Sequence, residues 1–66
     1  MKELKAWVAR DKNGMLYLYL APPRKNQSKW LPNIRSDYFE IGRKCFPEVK
    51  WEDEEPTEVS ITIKLD

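Results

Sequence analysis

Histidine is absent from this chain, cysteine occurs once, and there are only two glycines. Each shortage removes a class of chemistry. Without histidine, the usual general base near neutral pH and the commonest metal ligand are both missing. One cysteine, Cys45, supplies neither a structural zinc site of about four ligands nor an intramolecular disulfide. Small secreted domains usually carry several disulfides to reinforce a thin core, so a reducing, cytoplasmic setting is predicted. Neither glycine sits in a phosphate-cradling loop, and Gly14 follows Asp11-Lys12-Asn13 as part of a turn. No stretch approaches the ~20 apolar residues of a membrane span, and Met1-Lys2-Glu3-Leu4-Lys5 lacks a signal-peptide core. The expectation is a cytoplasmic, non-enzymatic protein with no catalytic residues, no cofactor, no metal and no membrane association.

Two features could be read against that expectation. Cys45 follows Arg43-Lys44, whose charges would favour a thiolate, but a small buried residue beside Phe46 is the simpler reading. The acidic run Glu52-Asp53-Glu54-Glu55, with Glu58 and Asp66, has none of the ligand alternation or central glycine of a calcium loop, so it is read as an exposed connection.

Sixty-six residues hold one domain, spanning 1–66, and its core is small because so short a chain buries only somewhat more than half of its unfolded surface. Apolar residues at 41% and charged residues at 35% are still enough for it to fold. In so thin a core, a partner or self-association would supply part of the stability. Net charge is +1, but it is segregated: Met1 to Lys50 carries 11 basic against 5 acidic residues, and Trp51 to Asp66 carries 1 against 6. The segregation marks either solvated faces or a basic N-terminal surface with an acidic tail.

The pattern along the chain is β. Two runs rich in Val, Leu, Trp and Tyr flank Asp11-Lys12-Asn13-Gly14, which predicts a hairpin over Leu4 to Ala21 with Gly14 left-handed. A three-residue connection of this kind pairs Trp7 with Tyr19, Ala9 with Tyr17 and Val8 with Leu18. An Asn13-Gly14 two-residue turn would shift that register by one. Pro22-Pro23 ends the second strand, and Arg24 to Lys29 reads as a loop. Trp30-Leu31 and Ile34 to Ile41 supply a third strand with Pro32-Asn33 as a kink or turn between them, although Ser36-Asp37 could instead open a short helical turn over 36–42. Thr57 to Leu65 alternates cleanly and predicts a half-buried strand with Val59, Ile61, Ile63 and Leu65 facing the core. The predicted fold class is all-β or β-rich: a small antiparallel sheet or open barrel of about 3–5 strands with an N-terminal hairpin.

Two blocks carry a resemblance: Trp7-Val8-Ala9-Arg10-Asp11-Lys12-Asn13-Gly14 with Leu16-Tyr17-Leu18, and Phe46-Pro47-Glu48-Val49-Lys50-Trp51-Glu52-Asp53-Glu54-Glu55-Pro56-Thr57-Glu58-Val59. Together they cover about half of the chain. In these blocks it resembles a family of short uncharacterised proteins of gut-associated bacteria and their phages. The resemblance implies a small cytoplasmic protein carried on phage or other mobile elements, and it carries over no functional residues.

Three Trp and three Tyr exceed what so small a core needs. The candidate binding surface is Trp7, Arg10, Tyr17, Tyr19, Arg24, Lys25, Lys29 and Trp30. The first expectation is a protein-interaction module, an accessory factor of a mobile element, binding a protein partner or a second copy through a strand edge or aromatic patch. The alternative is a single-stranded nucleic-acid-binding domain that stacks bases on the aromatics beside the basic residues. Against the nucleic-acid reading, an aromatic face is more often a second packing surface or a dimer contact.

Overall fold

The computed structural model describes residues 2–64. Six strands follow in order: β1 (Lys2–Arg10), β2 (Leu16–Tyr19), β3 (Arg24–Lys25), β4 (Trp30–Leu31), β5 (Tyr38–Ile41) and β6 (Thr57–Ile63). There is no helix among the described residues, and within the 36–42 segment Tyr38–Ile41 is strand. Four strands form one antiparallel sheet in the order β5-β2-β1-β6, and β3 and β4 form a separate two-stranded ribbon. The main sheet is open and does not close into a barrel.

The hairpin forms in the register that the three-residue connection requires, with Trp7↔Tyr19, Val8↔Leu18 and Ala9↔Tyr17. The Asp11 carbonyl accepts from the Gly14 N–H at 2.9 Å, and Gly14 adopts φ +93°, a conformation that a β-carbon disfavours. The Asn13 side chain accepts from the Met15 N–H at 3.0 Å and holds the exit from the turn. Two expectations need correction. Trp30-Leu31 does not join Tyr38–Ile41 in one strand, because Pro32-Asn33 redirects the chain and the two segments lie in different sheets. Arg24 to Lys29 is not all loop: Arg24-Lys25 pairs with Trp30-Leu31 around a turn in which Asn26 accepts from the Ser28 and Lys29 N–H groups at 2.9 and 2.8 Å.

Alternation gives the main sheet two unlike faces. On the aliphatic face, Val8, Leu16 and Val49 are buried, with Leu18, Ile41, Phe46 and Val59 packed around them. On the aromatic face, Ala9, Tyr19 and Trp30 are buried, flanked by Trp7, Tyr17 and Trp51. Chain outside the main sheet covers each: the 43–49 segment lies on the first, and the β3-β4 ribbon with Trp51 lies on the second. Val59 and Ile61 are only half-buried and Ile63 is exposed, so β6 covers its apolar side less fully than its alternation predicts. Leu65 lies outside the described residues.

Both covers are fastened by a cation. The Arg10 guanidinium donates to five carbonyls: Nε to Val49 at 2.8 Å, Nη1 to Gly14 and Arg43 at 2.9 and 3.0 Å, and Nη2 to Cys45 and Phe46 at 3.2 and 3.3 Å. Phe46 stands at φ +49°, a left-handed conformation costing about 1–2 kcal/mol for a non-glycine residue, and burial of its ring against Val8 and Leu16 offsets that cost. On the other face the Lys25 ammonium donates to the carbonyls of Trp51 and Asp53, and it lies 4.1 Å from the centre of the Trp51 ring and 5.5 Å from that of Trp30. Cys45 is exposed, contrary to expectation: it sits in the turn closed by its N–H to Gly42, with its carbonyl turned toward Arg10.

Candidate functional site

The predicted surface residues separate into fasteners, core and rim. Arg10 and Lys25 have their donors committed to main-chain carbonyls within the protein. Tyr19 and Trp30 are buried at 2% and 4% exposure, and Trp7 is half-buried beside them. Tyr17 is half-buried, while Arg24 and Lys29 are exposed. The aromatic face that carries Trp7, Tyr17 and Tyr19 is therefore largely covered by the β3-β4 ribbon.

What remains open lies at the β5 end of the sheet. The register Tyr19↔Tyr38 and Tyr17↔Glu40 brings Tyr38 onto the aromatic face. Its ring stacks on Tyr19 at 5.7 Å and 19°, and meets Tyr17 nearly edge-on at 6.0 Å and 65°. With Trp30, Leu31 and Pro32 of the ribbon and Lys29 at the rim, these tyrosines line a cleft of about 120 Å³ that also reaches Asp11.

Asp11 is the buried charged residue of the described chain. Its Oδ1 accepts from the Trp30 N–H at 2.8 Å, which ties the hairpin turn to the ribbon. No Lys or Arg forms an ion pair with it among the described residues, where the single ion pair joins exposed Lys5 and Glu58 at 3.4 Å. Burial raises the Tyr17 hydroxyl pKa above its usual value, and the nearby charges of Glu40 and Asp11 push it further. Tyr19 is raised more strongly, by burial first and then by Asp11.

β5 is an edge strand, and its outer side is unpaired in the monomer. The Leu20 N–H donates to the Asp37 carbonyl at 3.1 Å, which makes 20 and 37 a hydrogen-bonded position of the ladder. Antiparallel alternation then directs the main-chain groups of Phe39 and Ile41 inward to β2, and those of Tyr38 and Glu40 outward to solvent. Exposed apolar side chains gather on this part of the chain: Phe39 at 52%, Tyr38 at 49%, and Ile34 in the preceding loop at 96%. Sequence reasoning missed Asp11, Tyr38 and Phe39 as surface candidates. The Tyr38-Phe39-Glu40-Ile41 alternation was a strand signal, but nothing local marks a strand as an edge.

No group of three or more His, Cys, Asp or Glu side chains is placed to hold a metal among the described residues. Comparison with protein-family models, curated proteins and solved structures finds no match to the chain.

Proposed function

We propose that the protein is an interaction module that docks an extended segment of a protein partner on the outer edge of β5. The observation that carries this reading is the open edge itself. Outward N–H and C=O groups at Tyr38 and Glu40 are flanked by exposed Phe39, and β5 lacks the proline or lysine that usually blunts a free edge. Strand addition draws affinity from main-chain bonds and specificity from alternate side-chain pockets, and the tyrosine cleft lies on one face of this edge. Carriage by phage or another mobile element, as an intracellular accessory factor, fits the sequence resemblance and belongs to the same proposal.

Single-stranded nucleic acid fits this surface less well. Two of the proposed phosphate-binding cations, Arg10 and Lys25, serve as internal fasteners, and the carboxylates of Asp11 at the cleft and Glu40 opposite Tyr17 stand near where a base would stack.

Glu40→Pro gives a clean test, because it removes an outward N–H without touching the β2–β5 bonds. The variant is expected to melt within a few degrees of the natural protein. It is expected to lose a partner that the natural protein retains in affinity capture after nuclease treatment. Capture abolished by nuclease would favour the nucleic-acid reading, and capture unaffected by Glu40→Pro would contradict the edge proposal.

A further inference from the structure

We infer that the cleft between Tyr17, Tyr19, Tyr38 and Trp30 receives an alkylammonium group: the side chain of a lysine, bare or methylated, on the segment that pairs with β5. This inference rests on the edge proposal for the partner's backbone and adds the chemistry of one of its side chains. Three observations converge on it. The walls are aromatic, and their π faces attract cations most strongly where water is excluded. Asp11 is buried at the cleft, holds the Trp30 amide with one carboxylate oxygen, and has no cationic partner among the described residues. Its second carboxylate oxygen carries no hydrogen bond among the described residues, and that anionic oxygen attracts an ammonium entering the cleft. The third is size: about 120 Å³ is room enough for an ammonium head with its methyl groups.

Placement joins the cleft to the edge. Tyr38 belongs to both, since its ring forms a wall and its main chain faces outward. A strand paired to β5 would direct every second side chain toward the aromatic face, over Tyr38 and Glu40. Glu40, opposite Tyr17, adds a second carboxylate on that side, while Lys29 at the rim is the one opposing charge lining the cleft.

The test uses the free ligand, so that the cleft is examined apart from the edge. Nε-trimethyllysine amide is titrated into the protein and followed by NMR of the tyrosine and tryptophan ring resonances. Its uncharged isostere, with a carbon replacing the quaternary nitrogen, and a short oligothymidylate serve as parallel arms. Saturable shifts of the Tyr17, Tyr38 and Trp30 rings at millimolar trimethyllysine are expected, with the isostere at least tenfold weaker. Asp11→Asn keeps the acceptor for the Trp30 amide and removes the charge, so a loss of about tenfold is expected. Tyr38→Leu alters an exposed wall without threatening the core and should weaken binding comparably, whereas Lys29→Met should strengthen it several-fold. Glu40→Pro removes a carboxylate as well as the outward N–H, so Glu40→Gln is its control: the two variants are expected to bind trimethyllysine equally, while only Glu40→Pro abolishes partner capture, which separates failure of the cleft from failure of the edge. No binding up to about 10 mM, equal binding of the isostere, or ring shifts produced only by the oligothymidylate would overturn the inference.

Discussion

Arg10→Met is expected to destabilise the domain by about 3–5 kcal/mol, enough to leave much of it unfolded at 37 °C. Methionine preserves the stem that lies beside Leu16 on the aliphatic face, so the variant isolates the guanidinium. That group satisfies carbonyls at Gly14, Arg43, Cys45, Phe46 and Val49. Hydrogen bonds to a charged group contribute roughly 1.5–3 kcal/mol each, but five on one group are strongly non-additive because the exposed carbonyls regain water. The larger consequence is release of the 43–49 segment, whose Phe46 and Val49 cover Val8 and Leu16. Arg10→Lys keeps the charge yet offers one compact ammonium in place of a planar fork, so it should recover only a minor part. Urea denaturation followed by tryptophan fluorescence measures both. A midpoint for Arg10→Met within about 0.5 kcal/mol of the natural protein would show that the 43–49 cover is held by other means.

Trp30→Ala is the second large effect, expected at about 3–5 kcal/mol. The indole is buried between the ribbon and the sheet, packs with Ala9 and Tyr19, and lies beneath the Lys25 ammonium. Its removal leaves a cavity in a layer with no second row of side chains to collapse inward. Trp30→Phe should cost distinctly less than its lost volume implies. The Trp30 indole N–H is buried with no hydrogen-bond partner among the described residues, and phenylalanine removes that unsatisfied donor, whose burial costs about 1–3 kcal/mol. The comparison is read from paired denaturation curves. Equal losses for Ala and Phe would mean that the orphan donor has little energetic weight, and negligible losses for both would mean that the ribbon is not packed on the sheet.

The parts of this fold legible in the sequence are those specified by neighbours along the chain. The β1–β2 register follows from Asp11 to Gly14 together with flanking runs whose aliphatic and aromatic residues match across the strands. The β6 strand follows from strict alternation over Thr57–Ile63. By contrast, β3 and β4 have two residues each, too few for any periodicity, and they are fixed by distant bonds from Lys25 to Trp51 and Asp53 and from Trp30 to Asp11. The engagement of Arg10 and Lys25 inside the fold was hidden for a related reason. A lysine or arginine in a polar stretch looks solvent-facing, yet the acceptors of Arg10 lie up to 39 residues away and those of Lys25 up to 28. The tyrosine cleft depends on the Tyr17↔Glu40 and Tyr19↔Tyr38 pairings between β2 and β5, which no local signal announces.

Residue-resolved amide hydrogen exchange on the free protein at low micromolar concentration tests the open β5 edge most directly. Phe39 and Ile41, bonded inward to β2, should exchange slowly, while Tyr38 and Glu40, directed to solvent, should exchange at rates near those of an unstructured chain. That alternation of slow and fast amides along four consecutive residues is the signature of an unpaired edge available to a partner strand. Protection at Tyr38 and Glu40 equal to that at Phe39 and Ile41 would show that the edge is already closed, and would contradict the assignment of β5 as the docking strand.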